Sequence, residues 1–462
     1  MTRALAAFSV AFLIAFFHTS TCAADPEVDA MGQTFVSALP ANWHSLQGEW
    51  KYFDVVGCFI AGNYCYGNNP SSPYGYPSFG SSQPISPFQL GQSEAVVIFF
   101  RTPPEMRYFA FTQYLMTRGG NPFYIFASLS DSLNLTKLST LQSATPGANV
   151  FGQDAVLVWT ADMNTRDSVL DMLAAQGIPS ANVNFIPIPI QLPLHMNYGA
   201  RADTFGMVMR TALPALQSDL DAYMSQKPFF VVKVGPNTPP PIAPAPSIGF
   251  ASEVSGTVES PSLATALNSL VADIKSNYQA AFSFRSQLVK YSDTVGWDCI
   301  TTLTPCSADN HDDLIAMDVT KAVVVNHPSD VVIIAGVNHH ATGKALYINH
   351  SINDTIQSTG IDSIDDPQLG MQSALYHAGV KSLKDPRVKR YRNLYAYAIS
   401  YHCGSMKYCE NIPAPTPTSP IGLQSGAPFL LWARSYLNPQ TGVRPNAAEI
   451  VQHQVLVGTA KH

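Results

Sequence analysis

Histidine is the side chain best suited to proton transfer near neutral pH and the commonest metal ligand. The chain holds twelve. His195 comes just before Asn197, Tyr198, Arg201 and Asp203. Together these could orient and protonate a small polar substrate, or simply hydrogen-bond a loop. His339 and His340 are adjacent, and on the strand their surroundings suggest they would point to opposite faces, unable to grip one ion together. One of them facing a pocket would still serve as acid or base. His195, His339 and His340 are therefore the catalytic candidates, with a carboxylate or Tyr as partner; surface or packed histidines are the plain alternative.

Other residues suggest binding. Tyr64, Tyr66, Tyr74 and Tyr76 lie with Phe79 in a stretch rich in Gly, Pro, Asn and Ser. Exposed there, such rings would stack on sugars or phenolic compounds; folded inward, they would cover a neighbouring cysteine ring. His311, Asp312 and Asp313, and later Asp362, Asp365 and Asp366, form acidic clusters without the spacing of a calcium loop. GxSxG, HExxH, phosphate-loop and dinucleotide signatures are missing, and Gly336–Lys344 (GVNHHATGK) fails the phosphate-loop spacing and reads as a hairpin turn. No cofactor is predicted, although the histidines and acidic clusters leave a divalent metal open.

The elements holding these residues belong to an exported chain. Arg3 precedes an apolar run, Ala4–Phe17, and small residues lead to Ala24, so residues 1–24 read as a cleaved signal peptide. No later stretch is apolar enough to span a membrane. Seven cysteines are present. Cys22 lies in the leader, and the rest form three close couples: Cys58/Cys65, Cys299/Cys306 and Cys403/Cys409. Local disulfides are the simplest pairing. Sequons at Asn134, Asn349 and Asn353 would carry surface glycans in a eukaryotic secretory pathway. Charged residues make up 13% of the chain and the net charge is −6, with no basic block, which argues against nucleic acid as a partner. The sequence carries no signal for oligomeric state.

The expected fold is α+β, built from two diverged copies of one mixed αβ unit. Gly235–Pro246 (GPNTPPPIAPAP) is too proline-rich for a strand or helix interior. It separates residues 25–234 from a second copy at 261–462, with 235–260 as connector. Tyr124–Asp131 resembles Tyr347–Asp354, Phe205–Arg210 resembles Phe429–Arg434, and Val232–Gly235 resembles Val455–Gly458, at offsets of 223–224 residues. Each copy should hold three β-rich strands followed by ferredoxin-like strand–helix–strand elements. In the first copy the β-rich runs are Ala95–Phe100, Arg107–Met116 and Phe123–Leu129. Strand Ala155–Thr160, helix Arg166–Gln176 (capped by Asn164 or Thr165) and strand Asn182–Ile190 follow, then strand Thr204–Leu213, helix Leu216–Ser225 and strand Phe229–Val234. In the second, strands are expected at Ala322–Asn326, Val331–Asn338, Ala345–Ile352, Leu394–Tyr401, Phe429–Tyr436 and Ile450–Gly458. A helix at Pro261–Phe284 should pack across the join.

Under a duplication, residues kept in both copies serve the unit. Arg210 and Arg434, with Asp131 and Asp354, fit an internal ion pair or turn capping; shared substrate-binding arginines are the sharper reading. Polar residues found in one copy only are better candidates for activity. Three function classes remain: a secreted acid–base enzyme acting on a small or glycosidic substrate at the junction of the copies, an extracellular carbohydrate- or small-ligand-binding protein, and a structural surface or wall glycoprotein.

Overall fold

The computed structural model describes residues 25–80, 85–120, 124–246, 249–287, 289–291, 296–317 and 322–461. The leader, with Cys22, lies outside them. The chain is α+β.

The first half opens with helix α1 (Pro26–Ser37), strands β1 (Trp43–Gln47) and β2 (Glu49–Tyr52), short helix α2 (Val55–Ile60) and β3 (Tyr74–Ser78). Strands β4 (Ala95–Arg101), β5 (Met106–Thr117), β6 (Tyr124–Ser128), β7 (Leu133–Asn134) and β8 (Asp154–Thr160) follow. Helix α3 (Met163–Ala174), β9 (Val183–Pro187), β10 (Thr204–Pro214), α4 (Gln217–Gln226) and β11 (Phe229–Pro236) complete it. The second half begins with α5 (Pro261–Tyr278), β12 (Phe282–Gln287), β13 (Lys290–Tyr291), α6 (Gly296–Thr302) and β14 (Asp313–Met317). Then come β15 (Val331–Val337), β16 (Tyr347–Asp354), β17 (Gly360–Asp365), α7 (Met371–His377) and α8 (Arg387–Arg390). Strands β18 (Leu394–Ser400), β19 (Cys409–Asn411), β20 (Phe429–Tyr436) and β21 (Gln454–Ala460) end the chain.

Two sheets form in each half. Their orders are β1-β11-β4-β8-β9 and β2-β3-β10-β5-β6, then β12-β21-β15-β18-β19 and β13-β14-β20-β16-β17. Strand alternation explains the layering. On β4, Ala95, Val97 and Phe99 pack with Val28 and Phe35 of α1 and Val169 and Leu173 of α3. The intervening Val96, Ile98 and Phe100 meet Phe109, Phe111 and Met209 from the second sheet. β15 repeats the pattern, with Val331, Ile333 and Ala335 against α5 and α7 and Val332 and Ile334 facing Ile348, Ile352 and Leu431. Both strands are buried on two faces, which is why each reads as an unbroken apolar run. The inner sheets of the two halves then meet through Tyr108, Ala110 and Ala212 on one side and Tyr347, Tyr436 and Leu437 on the other. The layers therefore run helix, sheet, sheet, sheet, sheet, helix.

Several expectations change. The ferredoxin-like reading fails because β10 and β11 lie in different sheets, so α4 links two layers rather than completing one βαβ unit. β8 and β9 do form a parallel pair around α3. Asp162, not Asn164 or Thr165, caps α3 by accepting from both their backbone N–H groups. Helix α5 stops at Tyr278, and β12 takes the residues after it. It covers the outer sheet of the second half rather than the join. Ala322–Asn326 contributes only a bridge from Val323 to Phe429, and the extra strand there is β14. Tyr74 and Tyr76 belong to β3 rather than a loop. His339 and His340 follow β15 in a turn, so the opposite-faces argument does not apply to them.

The cysteines pair locally: Cys58–Cys65, Cys299–Cys306 and Cys403–Cys409, with Cα–Cα distances of 6.0, 5.7 and 5.8 Å. Among the described residues, no helix is long and apolar enough to cross a membrane. The three sequon asparagines are not on the surface. All are fully buried. The Nδ2 of Asn134 donates to both oxygens of Asp312 at 3.0 Å, that of Asn349 to Asn69 Oδ1 at 3.1 Å, and that of Asn353 to the Asn68 carbonyl at 3.4 Å. In the folded molecule these buried amides have no room for a glycan.

Candidate functional site

A constellation of chemically useful groups that opens onto a cleft surrounds Glu94, where β4 begins. The Gly91–Glu94 turn bends the carboxylate back so that Oε2 accepts from the Gly91 backbone N–H at 2.6 Å. Oε1 lies 2.9 Å from His44 Nε2 on β1. The Tyr198 hydroxyl donates to Oε2 at short range. Lys233 Nζ, on β11, lies 2.6 Å from the same hydroxyl and 3.9 Å from Oε2. Two strands of one sheet thus deliver His44 and Lys233, with Glu94 at the end of the neighbouring strand. Tyr198 arrives on the 195–203 loop, which is tied to the body by paired hydrogen bonds between Gln89 and Gly199 and by Asn197 N–H to the Leu90 carbonyl. Gly235 is required for the approach, since a Cβ there would lie 2.9 Å from Glu94 Cγ and 3.2 Å from His44 Cε1.

Burial acts on these groups unequally. It would raise the Glu94 pKa, but hydrogen bonds from Tyr198, His44 and Gly91 outweigh it and hold the carboxyl below its ordinary value. Glu94 is therefore ionised. Lys233 is pushed down by burial, partly offset by Glu94. Tyr198 is pushed up by burial and by the carboxylate it donates to, so it keeps its proton. With Glu94 accepting from Nε2, the basic atom of His44 is Nδ1. The group opens onto a cleft of about 290 Å³ whose opposite wall is Pro236, Pro239, Pro240 and Ile242 of the connector.

The residues singled out from sequence are dispersed. His195 is exposed, its Nδ1 3.9 Å from Asp203, while Asp203 itself is buried against Arg118 and the His195 N–H. Arg201 is exposed. His339 is buried on Glu259 at 2.9 Å, and His340 contacts Arg107 at 2.5 Å. The three histidines each turn to a different partner. Tyr198 alone of the His195–Asp203 group enters the Glu94 constellation. Glu94, His44 and Lys233 were missed. One signal was available: Lys233 stands opposite Leu456 in the similar Val-Lys-Val-Gly and Val-Leu-Val-Gly segments, a charge present in only one of the two.

A second, smaller cavity lies between the halves. Arg210, Arg434, Tyr66 and Tyr74 line a space of about 30 Å³, room for a water or two. Tyr64 is exposed and packs edge-on against Tyr66, while Tyr76 is buried in the core. Arg210 donates to Thr112 Oγ1 and, across the junction, to the Ala308 carbonyl at 3.1 Å. Arg434 donates to Ser351 Oγ at 2.6 Å and across to the Gly67 carbonyl at 2.8 Å. Neither forms the ion pair expected with Asp131 or Asp354. Asp131 pairs with His311 and Lys137. Asp354 does cap a turn, accepting from the N–H groups of Ile356, Gln357 and Thr359.

Among the described residues, no three His, Cys, Asp or Glu side chains converge to hold a metal. No protein family matches the sequence, and no curated relative matches it. A crystal structure of an uncharacterised protein from Burkholderia cenocepacia aligns with a TM-score of 0.36 and 10% identity, over 96% of this chain and 91% of that one. So distant a likeness says nothing about activity.

Proposed function

We propose that the protein is a secreted acid–base enzyme acting on a small polar substrate in the Glu94 cleft. His44 Nδ1 takes a proton from the substrate or from a water, and the positive charge that develops on the ring sits against ionised Glu94. The Tyr198 hydroxyl, accepting from the Lys233 ammonium and donating to Glu94, holds the carboxylate in place, and the proton taken by His44 is returned from the same ring to the leaving group or product. The observation carrying this reading is one buried carboxylate gripping a histidine on one oxygen and a lysine-bound tyrosine on the other, beside an open cleft. Glu94 is the only carboxylate lining that cleft among the described residues. Glycoside hydrolysis needs a pair, so a glycosidic bond is disfavoured and proton abstraction or ester hydrolysis is preferred.

The test uses the full chain with panels of nitrophenyl esters, and of hydroxy- and keto-acids in D₂O to read proton exchange. His44→Asn and Tyr198→Phe should lower kcat/KM on whichever substrate turns over by about 100-fold or more. His195→Asn should leave it unchanged. Turnover that survives both cleft variants, or no turnover on any panel, rejects the assignment.

The reading extends to the architecture: two copies of one unit with pseudo-two-fold symmetry. In its support, the sheet orders correspond apart from the two-residue β7, which pairs with β5 and has no counterpart, and the correspondence includes the final parallel pair of each outer sheet, β8 with β9 and β18 with β19. Cross-junction bonds are reciprocal as well. Cys65 and Gly67 N–H donate to the carbonyls of Gln357 and Ser358; Cys306 and Ala308 N–H donate to those of Ile125 and Phe126. Asn69 donates to the Tyr347 hydroxyl, Asn310 to that of Tyr108. Left-handed backbone recurs in step at Tyr66 and Ser307, Gly67 and Ala308, Phe126 and Ser358 (φ 60 and 53°, 62 and 63°, 47 and 54°). On this correspondence β16 answers to β5 rather than to β6, so the Tyr124–Asp131 likeness to Tyr347–Asp354 joins an edge strand to a central one. Lys233 answers to Leu456, which leaves one catalytic cleft per chain. Export is supported by the leader-like first residues and the disulfides, and the buried sequons count against a wall glycoprotein.

A further inference from the structure

The junction cavity continues outward into a cleft of about 170 Å³, the two sharing Ser307, Asn310, Asp313, Ile315 and Trp432. Its floor is β14 and β20, and its rim is the loop after Cys306. Two polar atoms there have no partner although their side chains are more than nine-tenths buried: Asp313 Oδ1, an acceptor, and Trp432 Nε1, a donor. An unmatched buried polar atom costs about 1–3 kcal/mol, and a donor and an acceptor unmatched in the wall of one space are what a ligand would satisfy. Burial pushes the Asp313 carboxyl up to about 7 against the pull of Arg434, Arg210 and the Tyr436 hydroxyl.

The surroundings narrow the chemistry. The charged groups of the cleft already have partners: Arg434 Nε is 3.8 Å from Asp313 Oδ2, Arg444 donates to Glu253 at 2.7 Å, Arg210 donates to Thr112 Oγ1 and the Ala308 carbonyl, and the Asp309 oxygens accept from the Ser128 N–H and hydroxyl. A neutral ligand need displace none of them. Pro305, Ile315 and Met317 add apolar wall, and Trp432 offers an indole beside it. A neutral ring carrying hydroxyls presents both donors and acceptors at its edge and C–H groups on its face, matching Asp313, Trp432 and the apolar wall together. We infer that this junction cleft binds a neutral polyhydroxylated ring of monosaccharide size, anchored by Asp313 and Trp432. The inference stands apart from the acid–base reading, because it uses none of the residues around Glu94.

The test titrates the full chain with glucose, galactose, mannose, xylose and N-acetylglucosamine, following tryptophan fluorescence. At least one sugar should give a saturable change. Trp432→Phe should abolish the signal, and Asp313→Asn should weaken binding at least tenfold. Met317→Trp, which fills the cleft from its apolar side and leaves both polar anchors in place, should also abolish binding while the melting temperature is retained. His44→Asn should bind as the parent does, which separates failure here from failure of the catalytic reading. No saturable response to any of the five sugars, or a response that persists in Trp432→Phe and Met317→Trp, overturns the inference.

Discussion

Single residues carry charges that burial has made expensive, and these give the molecule a defined response to acid. His377 and His453, ordinarily near 6.5, are driven by burial to about 4 in the folded protein, and His350 beside His453 is also driven far down. The sign follows from proton uptake: between about 6.5 and 4 the unfolded chain binds protons that the folded core refuses. The stabilisation is complete above 6.5 and is lost as pH falls toward 4, on the order of 3 kcal/mol for each of the two. Asp309, Asp312 and Asp313, raised by burial to about 6, 6 and 7, act oppositely in an overlapping window, losing stability as pH rises from about 4. The wild-type profile is therefore a compromise. Replacing His453 with Phe should isolate one component: in urea denaturation at stepped pH, the variant should fall less steeply than the parent between 6.5 and 4. Parallel curves would mean His453 does not titrate as described. The cysteines were legible at this scale because covalent pairing has a spacing rule. The Glu94 constellation was not, because residues 44, 94, 198 and 233 meet only after three strands and a loop have folded. The sequons misled for a related reason: three letters specify an acceptor but say nothing of burial.

At the scale of elements, the loops after the first two disulfides matter most. Cys58–Cys65 closes a small ring on α2, and the next residues, Tyr66 to Asn69, dock on the second half; Cys299–Cys306 does the same for Ser307 to Asn310 in the other direction. Gly67 cannot be replaced without damage, since a Cβ there would lie 2.1 Å from Trp432 Cη2. Substituting Cys58 and Cys65 by Ser should lower stability by about 2–3 kcal/mol. It should also raise amide hydrogen exchange in the opposite half, at Gly360, whose N–H donates to Asn68 Oδ1 at 2.8 Å. Unchanged exchange at Gly360 would show that the ring does not hold the loop. Central strands such as β4, β8 and β20 were readable because burial on both faces leaves an apolar run. α1 and β1–β3 were missed: α1 carries a glycine, Gly32, in its interior, and β1 and β2 carry mixed, partly exposed residues without an apolar run. The ferredoxin error has a different origin. Strand–helix–strand order along a chain does not say whether the strands share a sheet.

For the whole molecule, six layers place the sequon asparagines at or beside the junction, where their amides bind the opposite half: Asn134 to Asp312, Asn349 to Asn69 and Asn353 to Asn68. Protein secreted from a glycosylating host and purified as the folded form should show an intact mass without N-glycans at these positions. A glycan found on any of them in folded, monodisperse protein would contradict this packing. The same interleaving governs how the molecule is made. While the ribosome is still delivering the second half, the strand edge at Ile125–Phe126 lacks the backbone that will cover it, and the segment after Cys65 has nowhere to sit. The early product is thus an unfinished surface with open carbonyls, exposed to wrong partners until the last strands emerge. Maturation is tied to completion of synthesis, and a chain truncated before β16 would leave the Cys65 loop of a correctly oxidised first half without its seat.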